Sequence, residues 1–206
     1  MRREIDTPHG PARAHLTLVP DARAALVLGH GAGGGVTARD LVAASKAAET
    51  AGLSVALVEQ PYRVAGRKSP PPAAQLDAAW IAVLERLRSK ELAGLGVVTG
   101  GRSSGARVAC RTAGAVGAAG VLCLAFPLQP PSRHRAAARP SRIDELNEVT
   151  VPVLVVQGKN DPFGIPPSTR GRRVVLLPGD HRLQSDLAGL AKATATWLDK
   201  VVDSQP

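Results

Sequence analysis

Gly101-Arg102-Ser103-Ser104-Gly105 sets a serine between two glycines in the pattern G-x-S-x-G. The residues before it, 95–99, are apolar and β-branched, and those after it read as a helix. Ser103 is therefore expected on a sharp strand-to-helix turn, lifted clear of the sheet, with small neighbours that let the backbone bend so tightly. A serine hydroxyl is a weak nucleophile by itself and needs a neighbouring base to become reactive. The pentapeptide alone is a weak signal in a chain rich in glycine and serine. Its meaning depends on partners elsewhere.

Downstream of Ser103 the chain carries two histidines, His134 and His181. His134 lies in a basic stretch. His181 lies in Leu177-Pro178-Gly179-Asp180-His181, just past the last expected strand and before the last helix. A histidine base needs an acid that fixes its tautomer and stabilises its charged form. Asp161, in Gln157-Gly158-Lys159-Asn160-Asp161, follows the strand expected at 151–157. Loops that leave parallel strands at their carboxyl ends share one edge of the sheet, so Ser103, Asp161 and His181 should meet there. Their order is the nucleophile–acid–histidine order of α/β-hydrolases. Asp180 and Asp186 are rivals for the acid, but Asp180 adjoins His181 and neighbouring side chains point apart.

Acyl transfer also needs two backbone N–H donors aimed at the developing oxyanion. Ser104, directly after the nucleophile, supplies one. The run His30-Gly31-Ala32-Gly33-Gly34-Gly35, after the strand at 24–28, resembles an HG-x-G oxyanion loop. By that match Ala32 donates, Gly33 lines the substrate beside it, and His30 holds the loop in place. The same run fits a dinucleotide fingerprint, with Gly29, Gly31 and Gly34 as its glycines and Glu59 as the ribose acid. Against this, the helical pattern starts only near Thr37, and a nucleotide site gives Ser103, Asp161 and His181 no role. No phosphate-binding lysine follows Gly105. The histidines at 9, 15, 30, 134 and 181 show no metal-ligand spacing, so neither metal nor cofactor is expected.

The elements that must position these residues alternate along the chain. Strands are expected at 15–19, 24–28, 53–58, 95–99, 120–126, 151–157 and 173–177. Helices are expected at 37–51, 73–89, 104–115 and 185–202, with Thr37 as an N-cap and Gly52 as a stop. Such alternation predicts a single-domain α/β fold over residues 1–206, a mostly parallel sheet with helices on both faces. The first two strands, only four residues apart, are expected to pair antiparallel. Residues 127–142, rich in Pro and Arg, form an insertion-like loop rather than a long lid, which predicts an open, shallow site.

The net charge of +9 and pI of about 10.5 raise the question of a phosphate-rich partner. Arginine dominates the basic residues, and the Ala, Gly, Pro and Val content points to GC-rich codons. The densest basic stretch, Arg133, His134, Arg135, Arg139 and Arg142, lacks the aromatics that would stack on bases. Nucleic acid is therefore not the expected partner. Arg135 is instead placed at a pocket rim that favours acidic ligands, while Arg63, Arg67 and Lys68 read as solvated surface. Cys110 and Cys123 sit among apolar neighbours and read as buried free thiols. No apolar run reaches membrane-spanning length, and the first residues hold no secretory apolar stretch. The expected location is the cytoplasm.

The order HGAGGG, EQPYR, GGRSSGARVA, FPLQPP, VQGKNDPFG and GDHRL resembles a small α/β-hydrolase-like family. That family includes testis-expressed protein 30 and the hydrolase-like region of a non-specific lethal chromatin-complex subunit. More distantly the chain is similar to dienelactone hydrolases. The resemblance runs from about residue 24 to the closing helix and implies Ser103 as nucleophile, Asp161 as acid and His181 as the histidine. The reading is a serine hydrolase for a small carboxylic ester or related acyl substrate, with no membrane partner and with room for a homodimer. The alternative is a non-catalytic scaffold of the same fold that uses its basic 133–142 loop as a contact surface.

Overall fold

The structure, a computed structural model, describes residues 1–129 and 140–204. Its strands are β1 Arg2–Ile5, β2 Ala12–Thr17, β3 Ala24–Gly29, β4 Leu53–Glu59, β5 Val97–Arg102, β6 Gly120–Leu124, β7 Val153–Gly158 and β8 Arg172–Leu177. Its helices are α1 Arg39–Thr50, α2 Pro61–Val64, α3 Ala73–Arg88, α4 Ser104–Thr112, α5 Ile143–Asn147 and α6 Leu187–Asp203. The strands form one sheet in the order β1-β2-β4-β3-β5-β6-β7-β8. From β4 to β8 every pairing is parallel, with Leu26 opposite both Val55 and Val98.

Strand composition follows position in the sheet. Every residue of β3, β6 and β7 is buried, as strands covered on both faces require. β2 alternates, and the edge strand β8 is only partly covered along its middle. One apolar cluster joins the sheet to α3 and α4 around Trp80, Leu84 and Val108. The other joins it to α1 and α6 around Leu41, Trp197 and Leu198. With aromatics at 2% of the chain, Ala, Val and Leu supply most of this packing.

Two expectations need correction. β2 does not pair with β3. It runs antiparallel to β4, with Leu16 opposite Ala56, so β4 separates the two strands that the short turn joins. β3 has parallel partners on both sides, which leaves β2 to cover the outer edge of β4. β1 was not expected from its polar Arg-Arg-Glu-Ile composition, and it extends that edge by pairing with β2. Thr37 is also not an N-cap. Ala38 caps α1 without a side-chain hydrogen bond, and the acid of the first turn, Asp40, is engaged elsewhere.

The topology locates a crevice. From β3 the chain crosses to β4 on one side, whereas β5 to β8 advance on the other. The loops after β3 and β5 therefore diverge at the carboxyl edge, where open α/β sheets bind ligands.

Candidate active site

Ser103 sits between β5 and α4 with φ 52° and ψ −109°. Left-handed backbone of this kind costs a non-glycine residue about 1–3 kcal/mol unless its surroundings hold it. Two hydrogen bonds do so here. Ser103 N–H donates to Leu124 O at 2.9 Å, and Arg107 N–H donates to Ser103 O at 3.2 Å. α4 can pack so closely on the end of β3 because residue 105 is glycine. A Cβ there would lie 2.6 Å from the Gly29 carbonyl carbon and 2.8 Å from the His30 oxygen.

The loops after β7 and β8 bring the partners. His181 Nε2 lies 2.9 Å from Ser103 Oγ, and His181 Nδ1 lies 2.8 Å from Asp161 Oδ2. A carboxylate oxygen only accepts, so Nδ1 carries the proton and Nε2 is left as an acceptor for the serine hydroxyl. The Asp161 side chain is fully buried, while His181 remains 15% exposed. Asp161 Oδ1 accepts from Phe163 N–H at 2.9 Å, and Oδ2 accepts from Gln157 Nε2 at 2.7 Å. The two loops are tied together by Lys159 N–H to Leu177 O and Asn160 N–H to Gly179 O. Phe163 packs on the imidazole, with ring centroids 4.3 Å apart.

The rival acids are occupied otherwise. Asp180 Oδ1 accepts from Arg182 N–H, and Asp186 caps α6 by accepting from Gly189 N–H.

Across the crevice, His30 holds the loop that follows β3. Its Nε2 accepts from Gln60 N–H at 3.1 Å, so Nδ1 carries the hydrogen and donates to Gly31 O at 2.8 Å. Burial pushes its pKa below the usual histidine range, which keeps the ring neutral for this paired role. The Tyr62 hydroxyl donates to Ala32 O at 2.8 Å, and Gly34 N–H closes a turn onto Gly31 O. Ala32 is half-buried and Gly33 exposed at the lip of the loop. A methyl group at Gly31 would stand 3.7 Å from Ser103 Cβ, which places this loop directly beside the serine. Ser104 is the first residue of α4, where backbone N–H groups have no acceptor within the helix and the helix dipole is positive.

Other predicted residues fall elsewhere. Glu59 pairs with His15 at 3.0 Å and Arg13 at 3.4 Å, which leaves the dinucleotide reading without its acid. Arg63 donates to Arg67 O, and Arg67 and Lys68 are exposed. Cys110 and Cys123 are buried free thiols whose sulfurs lie 3.5 Å apart. Arg133, His134, Arg135 and Arg139 lie outside the described residues. Among the described residues, no group of three or more His, Cys, Asp or Glu could hold a metal ion. No helix among them is long and apolar enough to cross a membrane.

Sequence reasoning missed Gln157, Tyr62, Phe163 and Arg102. Gln157 and Phe163 belong to the run QGKNDPFG, and that proximity to Asp161 was the available signal. The whole arrangement couples a half-buried hydroxyl to a base and a buried acid, beside the loop after β3 and the N-terminus of α4. That is the equipment of nucleophilic acyl transfer.

Comparison with known proteins agrees with this architecture. A family described as alpha/beta hydrolase domain matches residues 22–186, from just before β3 to the N-cap of α6. The fold is shared with XC6422 from Xanthomonas campestris, described as an a/b serine hydrolase without lid. The two are 20% identical over 100% of this chain and 96% of that one, with a TM-score of 0.79. Est1E from Butyrivibrio proteoclasticus, solved with ferulic acid bound, is 16% identical over 98% of this chain and 100% of its own, with a TM-score of 0.80. A dienelactone hydrolase from Anabaena variabilis is 15% identical over 97% and 96%, with a TM-score of 0.74. No curated protein matches the chain.

Proposed function

This chain belongs to the alpha/beta hydrolase family, and from that premise we propose that it is a serine hydrolase for small carboxylic esters or related acyl compounds. The observation that carries the reading is the hydrogen-bonded relay from Ser103 through His181 to Asp161, with separations of 2.9 and 2.8 Å. Ser103 Oγ attacks the acyl carbonyl carbon while His181 Nε2 takes its proton. Asp161 holds the resulting imidazolium through Nδ1–H. The backbone N–H groups of Ser104 and Ala32 receive the negative charge that moves onto the carbonyl oxygen. The tetrahedral intermediate then expels the alkoxide, which takes the proton from His181 and leaves Ser103 acylated. Water attacks the acyl-serine, gives its proton to His181, and the acid departs as Ser103 recovers its hydrogen. These steps call for no cofactor.

Within the family, the motifs GGRSSG, FPLQPP and QGKNDPFG support kinship with the group that includes testis-expressed protein 30 and the non-specific lethal subunit. Free buried thiols support a cytoplasmic setting. The neighbour described as a serine hydrolase supports carboxylic esters as the first substrates to try.

Labelling of purified protein with a fluorophosphonate tests the proposal. The wild type should label, and Ser103→Ala and His181→Ala should not. Hydrolysis of p-nitrophenyl esters of increasing acyl length then defines the acyl class. A folded wild type that fails to label overturns the reading and leaves the scaffold alternative. Charge reversal at Arg135 or Arg139 would then be the informative change.

A further inference from the structure

Arg102 occupies the variable position before Ser103, where the G-x-S-x-G pattern prescribes nothing. Its side chain nevertheless reaches three separate pieces of the site. Arg102 Nε donates to Asp40 Oδ2 at 2.7 Å, and Nη2 donates to the His181 backbone oxygen at 3.2 Å. Nη1 lies against the oxyanion loop so closely that a Cβ at Gly31 would stand 2.8 Å away. Asp40 is 1% exposed and accepts from Leu41 N–H in the first turn of α1. Its nearby cation is this guanidinium.

From this convergence we infer that the Arg102–Asp40 pair is a brace, with Arg102 as a positioning residue that keeps the His181 loop and the oxyanion loop in register with Ser103. The inference rests on the acyl-transfer reading of the site. Planarity of the guanidinium matters, because one rigid fork spans an acceptor on α1 and an acceptor on the His181 loop. Burying the ion pair is expensive, and such pairs contribute to specificity of arrangement more readily than to stability. Burial pushes the Asp40 carboxyl above the usual range and Arg102 opposes that shift, so removing Arg102 alone strands a buried acid. Gly31 follows from the same geometry, since any side chain there would enter the space held by the guanidinium.

The experiment compares wild type with Arg102→Met, Arg102→Lys, Asp40→Asn and the double variant R102M/D40N, which removes both charges and so keeps the fold testable. Hydrogen exchange is followed at the amides of residues 30–34, 181–183, α1 and β7. Fluorophosphonate labelling is followed as its maximal rate and its half-saturating concentration. The brace predicts exchange at least about tenfold faster in both loops of R102M and the double variant, with β7 unchanged. It predicts a maximal labelling rate down by about 10- to 100-fold with half-saturation nearly constant, as expected for misplaced reacting groups. Arg102→Lys should restore protection near Asp40 but not at 181–183, because an ammonium lacks the fork. Faster exchange confined to α1, or wild-type exchange in both loops, overturns the inference. If wild type fails to label, the hydrolase reading falls, and the exchange data still decide whether the brace exists.

Discussion

Gly105→Ala tests whether the position of α4 sets the reactivity of Ser103. The new Cβ would lie 2.6 Å from the Gly29 carbonyl carbon and 2.8 Å from the His30 oxygen, and closer still to the Gly29 oxygen. Ordinary contact begins near 3.4 Å, and every one of these atoms is backbone, so no side chain can swing aside. The start of α4 must therefore retreat from β3 by about 1 Å, as overpacked sites do. Ser103 joins that helix directly and would move with it. Overpacking of this size costs about 1–3 kcal/mol, which leaves a domain stable by ~5–15 kcal/mol still folded. A 1 Å error in the geometry of a reacting group costs on the order of 100-fold in rate. The assay is the second-order rate of fluorophosphonate labelling, run beside urea unfolding at one pH. Gly114→Ala is the control, because a Cβ there meets nothing within 4 Å. It should leave both measurements within about 0.5 kcal/mol of wild type. A Gly105→Ala protein that labels within about threefold of wild type and unfolds at the same urea concentration would refute the reasoning.

Asp161→Asn should lower ester hydrolysis by about 10⁴-fold while leaving the fold intact, because the amide favours the wrong histidine tautomer; steady-state kinetics on a p-nitrophenyl ester reads this out. Phe163→Leu removes the ring packed on His181 at 4.3 Å. It should lower kcat by about 2- to 5-fold with KM little changed, since an aromatic face stabilises the imidazolium more than the neutral ring. Stability should fall with acid below about pH 4.5. Burial raises the carboxyls of Glu59 and Glu91, but His15 and Arg13 outweigh it at Glu59, and Arg3, a backbone contact and Arg86 outweigh it at Glu91. Both folded-state values thus sit below the ordinary value of 4.5, so their contribution is present above it and is lost as pH falls through the lowered values. Glu91→Gln should flatten that acid limb in urea titrations from pH 6 to 3.

The positions of Ser103, Asp161 and His181 just past strands were enough to expect them at one edge, because parallel strands end together, and the structure brings them within hydrogen-bond reach there. Short-range pattern carries that much information. The helices expected at 73–89 and 104–115 were legible for the same reason, as apolar periodicity and local turn chemistry act within a few residues; the structure ends them at Arg88 and Thr112. His30 was legible as the holder of its loop, and the hydrogen bonds from Gln60 and to Gly31 bear that role in the structure.

What the sequence determined by itself was therefore the alternation of elements, the shared edge and the residue types that meet there. Tertiary structure decided everything that depends on which strand lies beside which. β2 pairs with β4 because β3 already has a parallel neighbour on each side, a fact no four-residue turn encodes. Arg102 meets Asp40 across 62 positions and His181 across 79, and Tyr62 meets Ala32 across 30. A hydrogen bond depends on distance in space, and sequence separation carries no trace of it until the sheet has closed the gap.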